Sequence, residues 1–232
     1  HLPMKPGYDI SKECRWVSVL NLKGKTKKEI FKEFSYQTRQ DIRTYEKYCV
    51  KTRVLNEDQL DVLDEMEKET SERQDFEAMS VDYYKDLYKF YGKSHIETVL
   101  SYLDLDAYAI KMQSEFDKTS KDIEKTKAFL EQNPGNVKKE KRLKTDEEYY
   151  NSLLKKLSHI EELKQEYGKE IPLACCLFVK YGHQIVYLVG SSTYEHRVFR
   201  GPYAIQWKMI QEAIDEGYDL YNFYGISGYF HK

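Results

Sequence analysis

The residues able to do chemistry in this chain fall into four small groups. Arg39 and Arg43, in the run Arg39-Gln-Asp-Ile-Arg43, stand four apart and share one face of a helix. Taken alone, such a pair is more readily a solvated helix face than an anion contact. Tyr203 and Tyr224 fall at the start of a helix and the end of a strand, where a hydroxyl can face a cleft. In a chain with 21 tyrosines, core packing with a hydrogen-bonded tip is an equal alternative. Asp75 follows Thr70-Ser71-Glu72 and is a candidate proton acceptor or substrate-positioning carboxylate; a cap on the following helix is the plainer role. Lys138, Lys139, Lys141, Arg142 and Lys144 crowd around a single Glu140, a cluster suited to RNA phosphates or simply a solvated helix start.

No covalent nucleophile stands out. The four cysteines (Cys14, Cys49, Cys175, Cys176) lack the paired spacing of a zinc site, and Cys175-Cys176 lies in an apolar run that reads as a buried strand. The six histidines show no partner spacing. Reduced thiols, no metal, and direct transfer chemistry without a covalent enzyme intermediate are the expectation.

Several elements must position these groups. Arg15 to Leu20 alternates and predicts a strand, Thr26 to Tyr48 a charged helical stretch broken near Ser35, and Val50 to Leu55 a short strand. Asp58 to Thr70 carries Leu60, Leu63 and Met66 at helical spacing, Asp82 to Tyr91 a second helix, and Thr98 to Leu103 a strand. From residue 103 to 169 the pattern is a long helical hairpin. Its first stripe is Met112, Phe116, Thr119, Ile123, Thr126 and Leu130; Asn133-Pro134-Gly135-Asn136 turns the chain; Leu143, Tyr150, Leu153, Leu157, Ile160 and Tyr167 form the returning stripe. The two stripes predict an antiparallel coiled-coil arm on the order of 45 Å long at about 1.5 Å per residue, projecting from a globular body.

Beyond the arm, Ile171 to Lys180 and His183 to Gly190 predict two central strands joined at Tyr181-Gly182. A polar loop to Arg200, an amphipathic helix from Gly201 to Glu216 with Pro202 in its first turn, and a strand from Tyr218 to Tyr224 follow. The fold class is α/β, with residues 1–102 and 170–232 forming one discontinuous domain around the arm at 103–169. A net charge of −2 excludes a globally basic nucleic-acid binder but not a local patch. No stretch has the roughly 18–20 apolar residues of a membrane span, and no signal peptide is evident, which predicts a cytoplasmic protein. An opening on His1-Leu2-Pro3 rather than Met predicts a piece of something longer.

The strand, strand, loop, helix, strand order from 171 to 224 is that of an acetyltransferase (GNAT-type) core. The turn Arg197-Val-Phe-Arg200-Gly201-Pro202-Tyr203-Ala204 is a poor pyrophosphate cradle, however, because Pro202 removes a backbone donor. That points away from coenzyme A. Four runs, Arg39-Gln-Asp-Ile-Arg43, Glu69-Thr-Ser-Glu-Arg-Gln-Asp-Phe76, Gly201-Pro-Tyr-Ala-Ile-Gln-Trp207 and Tyr221-Asn-Phe-Tyr-Gly-Ile-Ser-Gly228, resemble the Fem family of peptidoglycan bridge-forming aminoacyltransferases. The resemblance implies the second of two tandem GNAT-like domains with its coiled-coil arm. It implies transfer of an amino acid from aminoacyl-tRNA to an amino group of a lipid-linked or UDP-linked muropeptide, without cofactor, in the cytoplasm and in passing at the inner membrane face. On the same ground Arg39 matches the family's phosphate-contacting arginine; from the residues themselves, Arg43, Tyr203 and Tyr224 are substrate-binding candidates, Asp75 and Tyr224 are weak catalytic candidates, and the basic cluster from Lys138 to Lys144 is a candidate tRNA contact.

Two departures stand beside the resemblance. The match begins just before the family's second domain, and the chain stops at Lys232, short of the closing strands that carry a Phe-Lys pair linked to catalysis. A weakly binding or inactive fragment is therefore expected. A noncatalytic coiled-coil adaptor for RNA or protein, and an acetyl-CoA-dependent N-acetyltransferase, are the alternatives from other classes.

Overall fold

A computed structural model describes residues 16–225. The chain divides into two compact units, one built from His1–Ser101 with Pro172–Lys232 and the other from Tyr102–Ile171.

In the first unit the elements run β1 (Val17–Asn21), α1 (Lys27–Glu33), α2 (Tyr36–Lys47), β2 (Val50–Leu55), α3 (Asp61–Gln74), α4 (Val81–Tyr91) and β3 (Ile96–Asp104); after the second unit come β4 (Glu170–Tyr181), β5 (Gln184–Ser192), α7 (Gly201–Asp215) and β6 (Leu220–Gly225). They form a six-stranded sheet in the order β1-β6-β5-β4-β3-β2. β6 is antiparallel to β1 and parallel to β5, so α7 is the crossover that carries the chain from one parallel strand to the next.

Local signals set the helix ends. Thr26 and Glu29 form a reciprocal capping box at α1. Ser35 both ends α1's path and caps α2 by accepting from the Thr38 N–H, which explains the break within the charged stretch. α3 runs to Gln74, past the expected stop at Thr70, because Thr70 and Ser71 turn their hydroxyls back onto the Met66 and Lys68 carbonyls and stay in the helix. Asp75 then closes α3 in the left-handed region (φ 55°), and Ser80 caps α4. Asp75 is thus no cap of the following helix, which corrects the plainer expectation for that residue.

The core sits on both faces of the sheet, and β4 feeds both. Ala174, Cys176 and Phe178 join Ile42, Ile205, Trp207 and Tyr221 on one face, while Cys175, Leu177 and Val179 join Leu63, Tyr84, Tyr88 and Leu100 on the other. This alternation is why the strand is apolar without interruption. Both thiols are held protonated, since burial pushes Cys176 up to about 12 and raises Cys175 further still.

The second unit is two helices, α5 (Leu105–Gln132) and α6 (Val137–Tyr167), capped by Asp104 and Asn136 and turned at Gly135 (φ 85°). They pack along each other in opposite directions. Lys164 pairs with Asp106 at 3.0 Å, Phe116 stacks on Tyr150 with centroids 4.5 Å apart, Tyr149 bonds Glu115, and Lys127 meets Glu147 at 2.8 Å. Met112, Ile123, Thr126, Leu153 and Ile160 of the expected stripes are buried, and Leu163 joins them. Leu163 escapes the sequence stripe because a straight helix drifts against a strict heptad. At the base of the pair, the Leu105 N–H donates to the Lys169 carbonyl at 3.1 Å.

Candidate functional site

Where β5 and β6 run side by side their register covers Gln184–Val186 against Leu220–Asn222, while β5 continues to Ser192 and β6 to Gly225. α7 begins on Gly201, pressed so closely to the sheet that a Cβ there would lie 2.4 Å from Leu173 Cβ and 2.8 Å from Ser101 Oγ. Arg200, just before it, is held left-handed (φ 61°), a strained conformation for a residue with a side chain.

The strain has a partner. Arg200 Nε lies 2.8 Å from Asp41 Oδ1, and Asp41, on α2, is only 4% exposed. Gln37 donates to both oxygens of the same carboxylate, at 3.3 and 3.2 Å. Tyr203, one turn into α7, completes the group: burial first, then the charge of Asp41 and a hydrogen bond to it, hold its phenol above the usual value against the opposing Arg200. Tyr203 therefore remains a protonated donor across the physiological range.

Beside this cluster lies a cleft of about 410 Å³ between β1, β6, α2 and α7. Val19, Leu20, Phe34, Ile42, Trp207, Ile210 and Phe223 make its walls, and Ser18, Thr38, Tyr203 and Gln206 its polar points. Phe31 joins the lining rings Phe34 and Trp207 in an aromatic trio, with Trp207 5.6 Å from each of the other two rings. Tyr224, next in sequence after Phe223, is again left-handed (φ 65°), 37% exposed, its N–H donating to Asn222 Oδ1 at 2.8 Å.

The expected site residues divide. Tyr203 lines the cleft and Tyr224 follows Phe223, which lines it. Arg39 and Arg43 share α2 with Thr38 and Ile42 but are not among the lining residues. The Arg39 guanidinium donates to the Lys32 carbonyl at 3.1 Å and to the Phe34 carbonyl, closing the end of α1, and Arg43 lies 5.6 Å above the Phe31 ring. Asp75 ends α3, outside the cleft lining. In the other unit, Lys138, Lys139, Lys141 and Arg142 share a concavity of about 500 Å³ with Asn136 and Thr145, while Lys144 is not part of its lining. Sequence reasoning missed Asp41, Gln37, Arg200 and Gln206. Asp41 lies inside the very run Arg39-Gln-Asp-Ile-Arg43, and its signal was an acidic residue beside Ile42 on the inward side of an otherwise basic helix. Among the described residues no group of three or more His, Cys, Asp or Glu is placed to hold a metal.

The FemAB family matches over residues 1–232. The chain belongs to the FemAB family. It is 32% identical over 230 residues to aminoacyltransferase FemA of Staphylococcus epidermidis, an alignment covering 99% of this chain and 55% of that protein. FemA of Staphylococcus aureus is 31% identical over the same length, with 54% of it covered. A crystal structure of FemX superposes with a TM-score of 0.79 at 22% identity, over 93% of this chain and 54% of FemX, so the two share a fold. This FemAB-family chain spans about half the length of the curated relatives it matches. No helix among its described residues is long and apolar enough to cross a membrane.

Proposed function

We propose that this FemAB-family chain is the acyl-transfer half of a peptidoglycan bridge-forming aminoacyltransferase, a GNAT-like domain interrupted by a coiled-coil arm at 103–169. The observation that carries the reading is a relationship at 32% identity along nearly the whole chain to proteins named aminoacyltransferase FemA. The α7 start, with Arg200, Asp41 and Tyr203 gathered beside a largely apolar cleft, supports it.

In this reading the donor is an aminoacyl-tRNA and the acceptor a lipid-linked or UDP-linked muropeptide, met in the cytoplasm or at the inner membrane face. The acceptor amine attacks the ester carbonyl, a C–N bond forms, the C–O bond to the ribose breaks, and the proton lost by the amine goes to the departing oxygen. Negative charge grows on the carbonyl oxygen in the transition state, so preorganised donors in a dry site stabilise it more than they stabilise the ester. Tyr203, its hydroxyl bonded to Asp41, is a substrate-contacting wall of the cleft in this reading, and the lysines from Lys138 to Lys144 are the phosphate-neutralising surface for tRNA.

The test is transfer of radiolabelled amino acid from charged tRNA to muropeptide precursor. Product that depends on the protein and survives coenzyme A depletion is expected. Precursor binding with no transfer by the whole protein overturns the enzyme in favour of an adaptor.

A further inference from the structure

We infer that the cleft between β1, β6, α2 and α7 binds an uncharged, carbonyl-bearing stretch of peptide, read by Gln206 through an amide that Tyr221 holds in one orientation. The inference rests on the proposed transferase reading and names which part of the acceptor this site holds.

The lining is the first argument. Among the described residues no charged side chain faces the cleft, although Arg39 and Arg43 stand on the helix that forms one wall. The Arg39 guanidinium is committed to the carbonyls of Lys32 and Phe34. A phosphate, carboxylate or ammonium placed among Leu20, Phe34, Ile42 and Trp207 would lose hydration with no charged side chain in the lining to pair with it. A neutral amide chain loses far less.

The second argument is the direction of one donor. The Tyr221 hydroxyl donates to Gln206 Oε1 at 2.6 Å. Tyr221 is fully buried, burial keeps its phenol protonated, and the proton must have an acceptor; Gln206 Oε1 is the one present. The amide is thereby fixed with its oxygen on the sheet and its nitrogen toward the cleft. Gln206 Nε2, on the other branch of the amide, carries two N–H donors. The Tyr203 hydroxyl bonds Asp41, and Thr38 Oγ1 lies 2.8 Å from Ser35 Oγ. The group this site asks for is therefore an acceptor, a carbonyl oxygen, carried by a neutral chain. An ester-linked amino acid also has a carbonyl, but it brings an ammonium that the lining does not match.

Trp207 lines the cleft, and Trp16 is the chain's only other tryptophan. In the full chain carrying Trp16→Phe, Trp207 emission reports the cleft directly. The probes are N-acetyl-alanyl-alanine N-methylamide, its free acid, inorganic pyrophosphate and alanine methyl ester. A saturable shift with the neutral diamide is expected, with the acid and pyrophosphate at least about 10-fold weaker, and Gln206→Leu weakening the diamide about 10-fold. Tyr221→Phe, which frees the amide to rotate, weakens it about 3-fold. If Gln206→Leu melts early, Gln206→Glu replaces it, since it keeps the size and removes the donor. No saturable shift with the diamide, equal affinity in the Gln206 variants, or pyrophosphate binding as tightly overturns the inference, and tighter binding of the ester assigns the cleft to the donor instead. Because the readout needs no turnover, loss of the transfer reaction with an intact diamide response sinks the transferase reading alone, and the converse sinks this one alone.

Discussion

Gly201 occupies a point where side-chain atoms of Leu173 and Ser101 leave no room for a methyl, so Gly201→Ala forces α7 off the sheet. Overpacking of that kind costs about 1–3 kcal/mol, and a thermal melt lowered by several degrees is the expected result. Asp41 is the other exacting residue. Removing its carboxylate leaves Arg200 in a left-handed turn without its counter-charge and releases Gln37 and Tyr203 at once. Asp41→Ala is expected to cost about 1–3 kcal/mol in urea unfolding, while Asp41→Asn, which retains the shape, costs less. Glu67 shows the opposite economy. Buried on α3 and facing the Asp64 charge, it receives only partial relief from the Met79 N–H, and burial pushes its carboxyl from an ordinary 4.5 up to about 7. The folded state therefore holds this proton where the unfolded chain has released it, and stability falls as pH rises from about 4.5 to 7. Glu67→Gln should flatten that decline and melt higher than the parent at pH 8. Lys68, paired to Asp64 at 2.5 Å and largely exposed, does not cancel the effect.

Elements were legible where their period was long and their caps local. The break at Ser35, the turn at Gly182 and the crossover helix from Gly201 could all be read because Ser, Gly and Pro act within three or four residues of themselves. The end of α3 could not, since the back-bonding of Thr70 and Ser71 and the left-handed Asp75 look the same in sequence as a capping run. Nor could the pairing of Asp41 with Arg200, which exists only once β6 has returned beside β1 and brought α7 against α2. The same holds for the charged staple linking β3, β4 and α7. Lys180 reaches Glu97, Glu212 and Glu216 at 3.3, 2.7 and 3.0 Å, and Lys208 reaches Glu97 and Glu212 at 3.3 and 2.7 Å. Burial alone would raise the Glu212 carboxyl, but hydrogen bonds from the two lysines hold it down at about 2. Its contribution is thus complete above the ordinary 4.5 and disappears as pH falls toward 2. Glu212→Gln should cost about 1–3 kcal/mol at pH 7 and almost nothing near pH 2, as acid titrations of the two proteins followed by circular dichroism will show.

At the scale of the whole chain, the sheet does not depend on the order in which its pieces are strung. β3 and β4 are neighbours in the sheet, yet the two helices of the second unit lie between them in sequence. The strand ends are brought close, since Leu105 and Lys169 are joined by a backbone hydrogen bond of 3.1 Å. A connection that starts and finishes at one point can be shortened with little change in loop-closure entropy, about 0.6 kcal/mol for each halving of a flexible loop. Replacing Asp106–Gly168 by a short glycine-serine turn is therefore expected to leave a cooperative unfolding transition and an unshifted Trp207 emission maximum. The aromatic and aliphatic residues that fill both faces of β4 come from the first unit, and they remain in place in the shortened chain. The same deletion removes every lysine of the basic cluster, so RNA binding measured against salt should lose both its affinity and its steep salt slope. A shortened chain that fails to fold would show that the helical pair stabilises the sheet. One that folds and still binds RNA with the parent's salt dependence would move the nucleic-acid surface onto the sheet unit.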